Sequence, residues 1–244
     1  MFFYNWGYLA AMLVCLLISG YAGGKVRSTY AKYDQIRCSS GWTGNDTAQR
    51  LLSANNITDV TVEKVGGLLT DHYHPAKQTV NLSDSTADSP SVAAVAVAAH
   101  EIGHVLQNKK GYWPYRVRTA IVPAVNFGAR LAIPLLLIGI LLETGTAVAS
   151  GSGVGYGLAM TGVVLYGFSV LFAVVTLPVE YDASHRARRM LVEHGILTEE
   201  ELPGAGAVLS AAAMTYLASL LVSLVYFFRF LLLVLSVFGR RGRR

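Results

Sequence analysis

Residues Ser89–Asn108 read SPSVAAVAVAAHEIGHVLQN. Ser89-Pro90-Ser91 is a good helix start, because proline fits the first turn and serine oxygens can accept from its free N–H groups. The apolar run that follows predicts a helix from Val92 to about Asn108. His100 and His104 are four residues apart in it, which puts both imidazoles one turn apart on the same face. Three titratable groups on such an apolar surface are expensive unless something binds them.

His100-Glu101-x-x-His104 is the arrangement in which two ring nitrogens reach one zinc ion and the intervening glutamate reaches a zinc-bound water. The competing reading is a pair of satisfied core histidines and a paired carboxylate. A catalytic zinc keeps three protein ligands and an open position. Gln107-Asn108-Lys109-Lys110 supplies no third ligand. The metzincin pattern also fails, with Gln107 at its glycine position and Lys110 at its last histidine. The third ligand is therefore expected from a later helix, as in gluzincins.

Working outward, 53% of the 244 residues are hydrophobic and only 14% are charged, against about 25% charged in ordinary soluble domains. Stretches near the roughly 20 apolar residues that a bilayer requires lie at Phe2–Gly23, Thr119–Leu142 and Val154–Leu177. Ala205–Phe238 is too long for one ordinary span. Its start packs on the polar region, or the stretch bends or forms a hairpin. The first apolar run has no basic n-region ahead of it and reads as a retained anchor.

The expected fold is a mainly α membrane protein with about four transmembrane helices and a small α+β zincin-like domain carrying the HExxH helix. The expected divisions are an anchor (1–24), a catalytic domain (25–118), two membrane helices with a short loop (119–177), a helix with the third metal ligand (178–204), and a C-terminal apolar segment with a basic tail (205–244).

Within the polar region, Val60–Val65 and Gln78–Leu82 are β-branched and roughly alternating, which predicts strands. The second could pair with an extended substrate as an edge strand. Asp71-His72-Tyr73-His74-Pro75 between them reads as a polar turn, with His72 as a candidate oxyanion stabiliser. Cys15 and Cys38 form no metal motif or disulfide framework. The net charge of +5 comes without a basic, aromatic-interleaved stripe, so no nucleic acid partner is expected.

The later polar segment contains Glu180-Tyr181-Asp182-Ala183-Ser184-His185-Arg186-Ala187. Glu180 follows an apolar span directly, and Ala183 and Ala187 allow another helix to approach closely. Glu180 is the favoured third ligand; Asp182 and His185 are the alternatives. Asp182 could instead pair with Arg186 four residues on. Tyr181 and Arg186 are further candidates for stabilising a transition state.

AVAAHEIGHVLQ, DHYHP with VNLS, VRTAIVPAVN and PVEYDASHRA occur in the order seen in the YugP-like neutral zinc metallopeptidases of bacterial membranes, which this chain resembles over nearly its whole length. The late segment is similar to the E-x-x-A-D helix of the broader membrane gluzincins. Position by position, that resemblance implies a metal ligand at Glu180 and leaves Ser184 where relatives carry aspartate. His74 likewise replaces the second aspartate of D-H-Y-D-P.

The function implied is a zinc metalloendopeptidase with one Zn2+ per chain, bound by His100, His104 and Glu180. Glu101 is its general base, and its substrate is a protein or peptide. The alternatives are a non-catalytic membrane scaffold or chaperone-like protein with a structural zinc, closed by a fourth ligand such as His72 or Asp182, and a transporter using Arg130 and Arg229. Four spans put both polar segments on one side with fourteen of the twenty lysines and arginines, against four on the other side and two within apolar runs. The positive-inside rule then points to a cytoplasmic site, and the resemblance implies a multi-pass protein of a bacterial plasma membrane.

Overall fold

The computed structural model describes residues 6–145 and 153–239. The first residues of the anchor, the connection at 146–152 and the basic tail Arg240–Arg244 lie outside the described residues. The elements in order are α1 (Trp6–Asp34), α2 (Gly44–Ala54), β1 (Thr61–Val65), β2 (His72–His74), β3 (Thr79–Ser83), α3 (Asp84–Ala87), α4 (Val92–Lys109), α5 (Trp113–Gly145), α6 (Val154–Glu193) and α7 (Leu202–Phe238). The chain is a mainly α membrane protein with a small α+β region. Among the described residues, α1, α5, α6 and α7 are long and apolar enough to cross a bilayer.

The described chain folds as two compact units. One comprises residues up to Ser19, Val117–Thr176 and Leu217 onward. Its core joins Leu136, Ala159, Val163 and Val234. Here α5 and α6 touch through glycines: a Cβ on Gly162 would lie 2.5 Å from the Ala132 carbonyl oxygen. Small residues at such contacts let helix backbones meet where lipid removes the hydrophobic drive to associate.

The second unit comprises Gly20–Arg116 and Leu177–Tyr216. A three-stranded sheet in the order β1-β3-β2 has β1 parallel and β2 antiparallel to β3. α4 runs through the middle of the core, with Val92, Ala93, Val95, Ala98, Ala99, Ile102 and Val105 fully or almost fully buried. Its N-cap is Ser91, whose side chain accepts from Ala94 N–H. α2 starts on a reciprocal capping box between Thr43 and Asp46, which satisfies two otherwise orphan donors. The first part of α7 packs into the same unit through Ala205 and Leu209.

Several boundaries differ from those expected. α1 continues through Gly23-Gly24 to Asp34 and α6 continues through Pro178 to Glu193, so neither membrane helix stops where its apolar run stops. The last apolar stretch is one continuous helix rather than a hairpin. Gly195, at φ 64°, ends the helical path after Glu193, since glycine adopts this left-handed conformation without a Cβ clash.

The segment read as a turn contains β2, because Asp71 pins it to the end of β3. Its carboxylate accepts from Ser83 N–H at 2.7 Å and from the Ser83 and Thr86 hydroxyls. β3 is consequently the central strand, and the role of an exposed edge passes to β1 and β2.

Candidate metal centre

α4 and α6 approach closely because their contact has almost no side chain. A Cβ on Gly103 would lie 2.7 Å from the carbonyl oxygen of Ala183, and Ala183 and Ala187 are completely buried. This contact sets Glu180, one turn before Ala183, opposite the histidine face of α4. Glu180 Oε2 lies 3.2 Å from His100 Nε2 and 3.5 Å from His104 Nε2. The two imidazoles meet edge to face, with centroids 4.7 Å apart.

Among the described residues, His100, His104 and Glu180 form the group of His, Cys, Asp or Glu side chains able to share a metal ion. Their ligand atoms all lie within 4.8 Å of one another. Two ligands each about 2.0–2.1 Å from a tetrahedral zinc stand roughly 3.3 Å apart. The two nitrogen–oxygen separations fit that spacing. Two imidazoles and a carboxylate are also a donor set suited to catalytic zinc.

Burial alone would push the Glu180 carboxyl up. Hydrogen bonds from the two imidazoles outweigh it and hold the group well below the usual carboxylate range. Glu180 lies beyond Leu177, where the apolar part of α6 ends, and is 1% exposed. A carboxylate this deeply buried needs cationic or hydrogen-bonding partners. The two imidazoles stand in position to supply them.

Glu101 projects from α4 one residue after His100 and is also buried. Burial pushes its carboxyl up to about 7; the nearby His100 and the Tyr73 backbone pull it down, while Glu180 and Asp71 push it further up. A carboxyl poised there can accept a proton and return it near neutral pH.

The shift also makes a prediction for metal-free protein. The folded value lies above the unfolded 4.5, so the stabilisation from Glu101 is complete below about pH 4.5 and disappears as pH rises through about 7. Its size is about 3 kcal/mol at most. Thermal unfolding of chelator-treated protein across this window should show the loss, and Glu101→Gln should flatten it.

Behind the imidazoles, each Nδ1 has a partner. Ser184 Oγ lies 3.2 Å from His100 Nδ1, and Gln107 Oε1 lies 2.9 Å from His104 Nδ1. A hydroxyl thus stands where the resemblance predicts a carboxylate. Asp182 is turned away from the metal-ligand group: it accepts from Arg186 Nε at 2.6 Å and from Gln107 Nε2 at 2.8 Å. His185 is exposed, and Tyr181 is more than half exposed.

His72 is exposed on β2 with Nδ1 2.9 Å from the Thr70 carbonyl oxygen. His74 Nδ1 accepts from Lys77 N–H in the turn leading to β3.

In the sequence, Gln107 counts only as a position that supplies no third ligand. Its position three residues after His104 marks it as a neighbour on the same helix face. Tyr115, buried with its ring 6.2 Å from that of His104, was also missed.

Four bilayer-length helices, with an HExxH helix facing a glutamate on a later helix, define the class: a membrane protein with a candidate metal centre of two histidines and a glutamate. A family model described as "Putative neutral zinc metallopeptidase" matches residues 8–235, and the chain belongs to that family. It is 41% identical to "Putative membrane protease YugP" of Bacillus subtilis (strain 168) over 224 residues, covering 92% of this chain and 95% of that protein. No solved structure matches the chain.

Proposed function

We propose that this chain is an integral membrane zinc endopeptidase that hydrolyses peptide bonds in protein or peptide substrates. The observation that carries the reading is the convergence of His100 Nε2, His104 Nε2 and Glu180 Oε2 beside a buried Glu101 carboxyl. His100, His104 and Glu180 would hold one zinc ion per chain. Bound there, zinc polarises a scissile carbonyl and makes a coordinated water acidic enough to attack near neutral pH.

The protein residues divide the remaining work. The imidazoles bind through Nε2 while their Nδ1 atoms face Ser184 and Gln107. Glu101 takes the proton of the attacking water on its carboxylate and returns it to the leaving amine. The apolar walls given by Ala98, Ala99 and Ile102 keep bulk water from the helix face behind the site, which strengthens each charge interaction. An extended substrate would align with β2, an edge strand whose Tyr73 backbone already meets Glu101.

The scaffold alternative required a fourth protein ligand. Asp182 is committed to Arg186 and Gln107, and neither Asp182 nor His72 belongs to the converging group of ligand atoms among the described residues; this favours the open, catalytic form. The excess of lysine and arginine in the two polar segments supports a site on the cytoplasmic face.

Hydrolysis of a quenched-fluorescence peptide library by detergent-purified protein tests the function. Chelation should abolish cleavage and zinc should restore it. Cleavage indifferent to chelation, or absent from zinc-loaded protein across the library, would refute the proposal.

A further inference from the structure

Gln107 is completely buried, and every polar atom of its side chain has a partner. Nε2 donates to the Val179 carbonyl at 2.7 Å and to Asp182 Oδ2 at 2.8 Å. A backbone carbonyl can only accept, and the Asp182 carboxylate is already taken up as an acceptor by Arg186 Nε at 2.6 Å. The two N–H groups of the amide must therefore face α6, which leaves Oε1 facing His104 Nδ1.

An amide oxygen has no proton to give. His104 Nδ1 must then carry the hydrogen, which makes Nε2, the nitrogen facing Glu180, the one that gives up its proton to a metal. The Val179 carbonyl and Asp182, both on α6, thus dictate the tautomer of a histidine on α4. The network closes locally: the Tyr112 N–H donates to the Gln107 carbonyl at 2.9 Å, and the Arg186 guanidinium lies over the Tyr112 ring at 5.6 Å.

We infer that Gln107, held by Val179 and Asp182, is a positioning residue that fixes His104 in its metal-binding tautomer and locks α4 to the helix carrying Glu180. The inference rests on the zinc reading above. Outer partners that set histidine orientation are worth about 10–100-fold in metal affinity. With methionine at 107, similar in volume and without an acceptor, nothing holds the hydrogen on His104 Nδ1.

The test compares zinc dissociation constants, by competition with a chromophoric chelator, for intact wild-type protein and Gln107→Met. Cobalt substitution adds a visible spectrum that reports coordination geometry. The expected result is a fall in zinc affinity of about 10–100-fold with an altered cobalt spectrum and unchanged helical content. Equal affinity and an unchanged cobalt spectrum would overturn the inference while leaving the zinc reading intact. Failure of the wild type itself to bind zinc would overturn the reading beneath it.

If Gln107→Met does not fold, Asp182→Ala decides. Asp182 is only partly buried, and its loss removes one of the two acceptors that orient the amide. An affinity loss of about tenfold supports the chain of contacts; wild-type affinity overturns it.

Discussion

Glu101→Gln retains its zinc and loses about 10²–10⁴-fold in peptide hydrolysis, the usual worth of a positioned general base. The substitution preserves the shape of a buried side chain and removes its ability to take a proton. Glu101 stands outside the three-residue ligand group, so metal content should stay at the wild-type level. The measurements are kcat/KM on a cleaved peptide and zinc per chain on the same sample. Undiminished turnover in zinc-replete mutant protein would remove Glu101 from the mechanism.

Glu180→Ala should lose zinc, by more than the 10–100-fold typical of an outer partner, and hydrolysis should fall with it. Glu180 supplies an oxygen within reach of both Nε2 atoms, so its loss leaves two imidazoles of the converging group, fewer than the three protein ligands of catalytic zinc sites. The variant differs from Glu101→Gln in kind: excess zinc should partly recover activity in Glu180→Ala and have no effect on Glu101→Gln. A Glu180→Ala protein that keeps one tightly bound zinc would place the third ligand elsewhere.

Much of this fold was legible because the bilayer imposes a length. Twenty-residue apolar runs announce themselves, and all four correspond to long helices. Helix ends were less legible. Gly23-Gly24 and Pro178 are stop signals in an isolated peptide, yet α1 and α6 run past them, because the residues beyond bury Tyr30 and Val179 in packed cores. β2 was illegible for another reason: three residues carry no periodicity, and the strand exists through β3 pairing and the Asp71 pin.

The candidate centre divides in the same way. His100 and His104 follow from helical spacing alone. Glu180 stands out as an acid directly after a span with alanines three and seven residues on. Gln107 has no such signature, since its partners Val179 and Asp182 lie more than seventy positions away. Gly103 reads as a helix weakness until the Ala183 backbone arrives against it. Ser184 was visible only as a departure from the expected aspartate, although its hydroxyl reaches His100.

The most direct test is a zinc-edge anomalous difference map from crystals of the purified, zinc-loaded protein. The account predicts one peak per chain, bonded by His100 Nε2, His104 Nε2 and Glu180 at about 2.0–2.2 Å, with a water in the fourth position. A peak enclosed by four protein ligands, or no peak between these three residues, would contradict it.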